Sequence, residues 1–249
     1  MKVVIKNLAT EYQDEGTGPV MLFLHGWQDD LHTFDPLVPP LSSTGRMIRL
    51  DLPGFGGSEM PKKAWNLDNY VQFVKDFIQK LNIQVDFLVG HSFGGRIVIK
   101  GLATKQLQAD KAVLIASAGV SKNKKLRNLI LKIIAKAGRA ITYLPPLSFW
   151  REKIREKMYN KLDSDYISSG PLKGTLLKII SEDLSSSAEN IKCPVLLIWG
   201  VDDVDTPLTD GKLLSKLIGG SELKVLNDAD HMVHREKPQE VAGLIRKFL

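Results

Sequence analysis

Short apolar runs alternate along this chain with longer segments whose apolar residues recur at helical spacing. The runs cover residues 20–24, 47–50, 87–89, 112–116, 195–199 and 223–226, and the helical patterns cover 67–81, 93–105, 208–218 and 238–248. Nearly continuous apolar strands are typical of a parallel sheet that is buried between layers of helices. The pattern therefore predicts an α/β fold, in which helices cover both faces of a mostly parallel central sheet. Two weaker stretches, residues 3–5 and 9–13, predict an antiparallel start to that sheet.

The alternation stops once, between residues 119 and 190, where helical patterns occur without a convincing strand. One apolar stripe lies there beside a lysine-rich face, at Leu126, Leu129, Ile130, Ile133, Ile134 and Ala137. Residues 118–192 hold 15 Lys or Arg against 7 Asp or Glu, whereas the rest of the chain holds 19 against 21. We interpret 119–190 as an inserted helical cap on a core formed by residues 1–118 and 191–249.

Composition and the absence of several motifs narrow the class of protein. The only cysteine, Cys193, permits no internal disulfide, and the N-terminus lacks the apolar region of a signal peptide. No apolar run is long enough to cross a bilayer, so we expect a cytoplasmic protein without stable membrane insertion. The five histidines occur singly, without paired cysteines, and the basic segment has no nucleic-acid motif. We therefore expect no metal, no cofactor and no nucleic-acid partner.

One pentapeptide joins a strand-like run to a helical pattern. Residues 87–89 are followed by Gly90-His91-Ser92-Phe93-Gly94 and then by the helix pattern of 93–105. In a G-x-S-x-G elbow the serine lies on a turn so tight that only small residues fit two positions to either side. This context predicts that Ser92 is a nucleophile.

A serine hydroxyl needs a base to take its proton and an acid to orient that base. Two later turns follow predicted strands and carry such groups: Asp202, Asp203 and Asp205 in the first, and Asp230, His231 and His234 in the second. Parallel strands end at one edge of a sheet, so we expect both turns to lie near Ser92. At this point the acid is open among the three aspartates of the first turn, and the base between the two histidines.

A fourth element, His25-Gly26-Trp27, follows the run 20–24. Gly26 lets the chain turn sharply, which would aim the backbone N–H of Trp27 towards Ser92, beside the N–H of Phe93. Two such donors would form an oxyanion hole.

Together these motifs resemble the α/β-hydrolase family, and within it the small capped bacterial serine hydrolases that include carboxylesterases and C–C bond hydrolases. The resemblance rests on five stretches: 25–27, 51–58 (Asp-Leu-Pro-Gly-Phe-Gly-Gly-Ser), 90–95, 199–207 (Trp-Gly-x-x-Asp-x-x-Thr-Pro) and 230–231. It implies that Asp203 is the acid and His231 the base, and we interpret His234 as a surface residue. Met232 stands where the C–C hydrolases have tryptophan.

The resemblance and the residues together predict a serine hydrolase that cleaves carboxylic esters of small molecules through an acyl-enzyme. C–C, thioester or lactone cleavage would use the same groups and stays open, as does a ligand-binding member of the fold without turnover. A third alternative is a lipase that lies on membrane surfaces through the lysine-faced cap. We expect the substrate pocket to include Trp27, His91 and Met232, and from the cap Ile130 and Ile133.

Overall fold

The described part of the chain, residues 1–120 and 168–249 of a computed structural model, contains one eight-stranded sheet. The strands are β1 (Lys2–Ile5), β2 (Leu8–Glu15), β3 (Val20–Leu24), β4 (Arg46–Leu50), β5 (Phe87–His91), β6 (Lys111–Ile115), β7 (Val195–Gly200) and β8 (Glu222–Leu226). Their order in the sheet is β1-β2-β4-β3-β5-β6-β7-β8. β2 pairs antiparallel with β1 and β4, and every other neighbouring pair is parallel. The predicted sheet and its antiparallel start are confirmed.

The helices, numbered over the described residues, flank the sheet. They are α1 (Val38–Leu41), α2 (Leu67–Leu81), α3 (Phe93–Ala103), α4 (Lys173–Ser181), α5 (Ser185–Ala188), α6 (Leu208–Leu217), α7 (Val233–Glu236) and α8 (Pro238–Phe248). Two 3₁₀ helices, Leu31–Leu37 and Gly170–Leu172, complete the set. The sequence motifs do not predict the segment 31–41, which carries three prolines.

Alternate residues of each central strand enter two separate apolar clusters, one on each face of the sheet. In β3, Leu22 and Leu24 pack in the cluster that contains residues of α2 and α3, whereas Met21 and Phe23 pack in the cluster that contains residues of α8. Successive side chains of a strand point to opposite faces, so a strand that is apolar at every position needs cover on both sides. Helices on both faces provide it.

Strand β8 departs from this pattern. It lies at the edge of the sheet, and Glu222 and Lys224 are exposed, while Val225 is 39% exposed. The expectation that this strand is buried on both faces is therefore wrong. An edge strand has one neighbour instead of two, and charged side chains on it discourage pairing with another chain.

The segment predicted as a cap is described at residues 119–120 and from 168 onwards, and from 168 it is largely helical and attached to the core. The Leu184 N–H donates to the Gly119 carbonyl at 3.0 Å, so the chain returns to the point where it left β6. Arg96 of α3 is buried, and its Nη2 donates to the Ile179 carbonyl at 2.5 Å and to the Glu182 carbonyl. The described end of this segment is thus tied to the helix that follows Ser92.

The apolar stripe from Leu126 to Ala137, including Ile130 and Ile133, lies outside the described residues. Among the described helices, none is both long enough and apolar enough to cross a membrane.

Candidate active site

Ser92 lies in a sharp turn between strand β5 and helix α3. Its backbone has φ 48° and ψ −108°, and a non-glycine residue at such angles costs on the order of 1–3 kcal/mol. Two backbone bonds hold the turn against β6 and the chain beyond it. The Ser92 N–H donates to the Ile115 carbonyl at 3.1 Å, and the Ala118 N–H donates to the Ser92 carbonyl at 3.1 Å. Strain that the surrounding structure imposes in this way is typical of functional sites.

The two glycines of the pentapeptide are required by close backbone approaches. A Cβ added to Gly90 would lie 2.7 Å from the carbonyl carbon of Gly94, and one added to Gly94 would overlap the carbonyl oxygen of Leu24. Backbone atoms of a sheet and a helix cannot move aside as a flexible side chain can. The turn at Ser92 therefore depends on glycine at both positions.

The loop after β3 packs directly against this turn. A Cβ added to Gly26 would lie 3.5 Å from Cβ of Ser92 and 2.9 Å from Nδ1 of His91. His25 holds the loop: its Nε2 accepts from the Leu52 N–H at 2.9 Å, so its Nδ1–H donates to the Gly26 carbonyl at 2.7 Å. The expected oxyanion-hole residues are both adjacent to these contacts, since Trp27 follows Gly26 and Phe93 follows Ser92. The centroids of their rings are 5.4 Å apart.

Asp203 is the buried carboxylate of the turn after β7. Its side chain is 0% exposed. Oδ1 accepts from the N–H groups of Asp205 at 3.0 Å and Thr206 at 2.8 Å. Oδ2 accepts from Oγ1 of Thr206 at 2.8 Å and pairs with Nδ1 of His231 at 2.9 Å. Asp202 and Asp205 are exposed, so the geometry distinguishes Asp203 from both neighbours.

His231 receives its orientation from that carboxylate. Because Nδ1 donates to Asp203, a neutral ring carries its lone pair on Nε2, the atom that could accept a proton. Burial lowers the pKa of His231, but the hydrogen bond and negative charge of Asp203 outweigh it, so the net pKa is raised. The side chain is 15% exposed, so part of the ring remains accessible to solvent.

Gly200 allows the acid loop and the histidine loop to meet. A Cβ at this position would overlap the carbonyl oxygen of Ala229. Just beyond it, the Val201 N–H donates to the Leu226 carbonyl at 3.0 Å, and the Asp202 N–H donates to the Ala229 carbonyl at 2.9 Å. These bonds fix the loop of Asp203 against the loop of His231.

His234 is buried, with 0% exposure, so the expectation of a surface residue is wrong. Its Nε2 lies 2.9 Å from Oγ1 of Thr33, and its ring packs on that of Phe34 with centroids 5.3 Å apart. Burial and the neighbouring positive charges lower the pKa of His234 to about 3. Its bond partner is Thr33, whereas His231 is the histidine that pairs with Asp203.

The residues expected to form a substrate pocket have different surroundings. Trp27 and Met232 are partly exposed, whereas His91 is 2% exposed and packs inside the loops. Ile130 and Ile133 are outside the described residues. Phe55 and Leu172, which the motif analysis did not propose, pack beside Trp27 and at Gly54.

The sequence profile of the alpha/beta hydrolase family matches residues 21–244, which is most of the chain. The chain belongs to the alpha/beta hydrolase family. A relative, the AB hydrolase superfamily protein YisY of Bacillus subtilis, is 27% identical over 95% of this chain and 93% of its own length.

Two solved structures of alpha/beta hydrolases show the likeness in fold. A meta-cleavage product hydrolase from Pseudomonas fluorescens IP01 superposes with a TM-score of 0.74 at 20% identity, covering 100% of this chain and 96% of that one. An esterase from Exiguobacterium antarcticum superposes with a TM-score of 0.76 at 18% identity, covering 99% and 98%. At this level of identity the comparison establishes the fold alone.

Two residues of this alpha/beta hydrolase support the site without having been proposed for it. Thr206, the threonine of the Trp-Gly-x-x-Asp-x-x-Thr-Pro stretch, donates to Asp203, and its carbonyl accepts from Nε1 of Trp199 at 2.7 Å. Asp51 accepts from the N–H groups of Leu31 at 2.7 Å and Gly57 at 2.6 Å, and burial raises its pKa. The contacts of Thr206 and Asp51 cannot be derived from the sequence. Only their positions in the motifs 199–207 and 51–58 could have pointed to these two residues.

No cluster of histidine, cysteine, aspartate and glutamate suited to a metal ion occurs in residues 1–120 or 168–249.

Proposed function

We propose that this alpha/beta hydrolase cleaves carboxylic esters of small molecules through an acyl-enzyme on Ser92. The observation that carries the proposal is the 2.9 Å contact between buried Asp203 and Nδ1 of His231, beside the strained turn that holds Ser92. A strained nucleophile turn and an oriented imidazole are the two costly features of such a site. Neither is needed by a protein that only packs a core.

In the proposed reaction the Nε2 atom of His231 takes the Ser92 hydroxyl proton while Oγ of Ser92 bonds to the ester carbonyl carbon. The tetrahedral intermediate then breaks its bond to the alkoxy group, which leaves as the alcohol with the proton from His231. A water next gives a proton to Nε2 and attacks the acyl carbon, and the bond to Ser92 breaks as the serine regains its proton. Asp203 holds the tautomer throughout and stabilises the imidazolium.

The negative charge on the former carbonyl oxygen needs hydrogen-bond donors. We assign this role to the backbone N–H groups of Trp27 and Phe93, because the loop of Gly26 packs on Ser92 and Phe93 opens helix α3. The positive end of that helix adds to the effect. A donor of this kind contributes about 3 kcal/mol to the stability of the transition state.

We further propose that residues 119–190 form a helical cap over this site. The support comes from the described end of the segment, where Nε1 of Trp27 donates to Oγ of Ser169 at 3.1 Å. Leu172 also packs on the loop of Gly54, with Cδ1 3.1 Å from the place of a Cβ there. A cap in this position would exclude water and shape the acyl pocket.

Cleavage of C–C, thioester or lactone bonds by the same residues is the alternative. The similarity to a meta-cleavage product hydrolase is as close as that to an esterase, so the fold does not choose between them. We favour esters because their cleavage needs only the three residues and the two N–H donors.

The test combines covalent labelling with turnover. The wild-type protein should react with a fluorophosphonate probe and hydrolyse some member of a series of p-nitrophenyl esters with increasing acyl length. Ser92→Ala should lose the label and nearly all turnover, whereas Ser117→Ala, a buried serine after β6, is the matched control and should keep its label. Labelling of Ser92→Ala at another serine would refute the assignment.

A wild-type protein that takes the label but cleaves no ester in the series would point to another scissile bond. A folded wild-type protein that takes no label at all would favour a ligand-binding member of the family.

A further inference from the structure

His91, the residue before the nucleophile, has a contact that the proposed reaction does not use. Its Nε2 lies 3.0 Å from the main-chain carbonyl oxygen of His231. A carbonyl accepts hydrogen bonds, so Nε2 carries the hydrogen and Nδ1 has the lone pair. The side chain of His91 therefore donates to the backbone of the residue that would act as the base.

The other side of the same ring meets the oxyanion loop. Nδ1 of His91 is buried and has no hydrogen-bond partner among the described residues, and a Cβ on Gly26 would lie 2.9 Å from it. A ring nitrogen buried without a partner costs free energy, which makes replacement by an apolar side chain of similar size the expected outcome of selection for stability alone. A histidine here suggests that its other nitrogen has a role.

Contacts between tilted rings extend the interaction to both histidines of the loop. The centroid of the His91 ring is 4.9 Å from that of His231 and 4.4 Å from that of His234. His91 is also joined by a peptide bond to Ser92. One side chain thus touches the loop of the base and the oxyanion loop, and it moves with the nucleophile.

We propose that His91 is a positioning residue, which holds the main-chain carbonyl of His231 through Nε2–H and so keeps the imidazole of His231 on Asp203 and in line with Ser92. This inference rests on the proposed function in taking His231 as the base. It assigns to His91 a part in alignment instead of the expected place in the substrate pocket.

The surroundings of His91 fit a neutral donor. The titratable groups that face it are His234, His231 and His25, and its burial together with their positive charge when protonated holds its pKa well below the ordinary value. An uncharged ring at this place does not compete with His231 for the negative charge of Asp203.

The experiment compares His91→Gln with His91→Leu. The amide nitrogen of glutamine reaches about as far along the side chain as Nε2 of histidine and can donate, whereas leucine fills space without donating. Two quantities are measured: kcat and KM for the best p-nitrophenyl ester, and the pKa of His231 from an NMR titration of ¹⁵N-labelled histidine rings.

We expect His91→Leu to lose about 100-fold in kcat, the size of effect that a small misplacement of a reacting group produces, with KM nearly unchanged. The pKa of His231 should fall towards the ordinary value as its bond to Asp203 loosens. His91→Gln should recover most of both losses. His32→Leu is the control, because His32 is an exposed ring paired with Asp35, and it should change neither quantity.

Equal losses in His91→Leu and His91→Gln would show that the donor has no role and would overturn the proposal, as would wild-type kcat and titration in both. If urea unfolding shows that His91→Leu is not folded, His91→Asn takes its place, since the shorter amide falls short of the carbonyl. A wild type that neither takes the fluorophosphonate label nor cleaves an ester would refute the proposed function, whereas the NMR titration would still report on the contact of His91.

Discussion

The turn after β7 carries three aspartates between residues 202 and 205, and their surroundings decide which of them could orient a base. Asp203 accepts four hydrogen bonds from described residues, whereas Asp202 and Asp205 are exposed. A carboxylate held by several donors has a fixed direction, which is the property that the orienting acid of a triad needs.

Replacing the buried carboxylate by its isosteric amide tests this difference. Asp203→Asn should lower kcat on the order of 10⁴-fold, because an amide that donates to His231 would favour the wrong tautomer. Asp202→Asn is the matched control on the preceding residue and should stay near the wild-type rate. Steady-state kinetics on one ester decides the matter, and a larger loss in the control would show that the turn has been misassigned.

The pH dependence of kcat/KM follows from the raised pKa of His231. The proposed base can accept a proton only when neutral, so the rate should fall on the acid side with a midpoint above about 6.5, the value of an unperturbed histidine. The midpoint should shift to lower pH in Asp203→Asn, where the charge that raises the pKa has been removed. A profile that stays flat down to about pH 4.5 would argue against a histidine base.

At this scale the sequence predicted the candidate residues but not all of their surroundings. Ser92, Asp203 and His231 follow strands within recognisable motifs, so their neighbourhood could be derived from topology. The burial of His234 could not, because its partner Thr33 is distant in sequence. Side chains that meet across loops leave no pattern in the sequence.

Among the elements, the elbow between β5 and α3 is held by contacts that glycine alone permits. The structure offers a helical glycine for comparison: a Cβ on Gly94 would overlap the Leu24 carbonyl oxygen, whereas a Cβ on Gly243 of α8 would meet nothing within 4 Å. The same substitution should therefore have opposite effects at the two positions.

Gly94→Ala should lower the free energy of unfolding and abolish turnover, since α3 must move away from β3. Gly243→Ala should raise the free energy of unfolding by up to about 1 kcal/mol, the difference in helix propensity between the two residues. Urea unfolding of both variants gives the comparison. A Gly94→Ala protein as stable and active as the wild type would mean that the close approach is not required.

The ends of a helix were predicted accurately where the sequence carries local signals such as periodicity, a cap or a proline. α2 (Leu67–Leu81) and α8 (Pro238–Phe248) were predicted with the observed ends. α2 is strongly periodic and its first turn is capped by Asn66 and Asn69, and α8 begins with proline. The segment 31–41 is interrupted by three prolines and was missed. The position of β8 at the edge depends on strand order, which a run of apolar residues does not report.

The molecule as a whole contains three buried histidines that resist protonation, His25, His91 and His234, because burial lowers the pKa of each. In the unfolded chain a histidine titrates near 6.5, whereas His234 in the folded protein titrates at about 3 and the pKa of His91 is also well below its ordinary value. Below about pH 6.5 these histidines bind protons in the unfolded state but not in the native state. The free energy of unfolding therefore falls as the pH falls. The slope is about 1.4 kcal/mol per pH unit for each such histidine. The raised pKa of His231 acts in the opposite direction.

His234→Gln should reduce this acid sensitivity, since the amide can keep the contact with Thr33 and does not titrate. Between pH 7.5 and pH 5.0 the wild type should lose about 2 kcal/mol more of its free energy of unfolding than the variant loses. Urea unfolding at both values measures the difference, which is independent of any uniform destabilisation by the substitution. Equal losses would show that the ring of His234 can become charged within the fold.

The hydrogen bond between Leu184 and the Gly119 carbonyl has an evolutionary consequence. It brings together two distant points of the chain, so the stretch between them begins and ends at one place on the core. The entropy of closing a loop grows only slowly with length, by about 0.6 kcal/mol for each doubling. A gene for this fold can therefore lengthen, shorten or replace that stretch at little cost to stability, while the strands that carry Ser92, Asp203 and His231 stay under separate selection. Proteins that descend from one ancestor could thus come to bind different substrates while keeping the same chemical reaction.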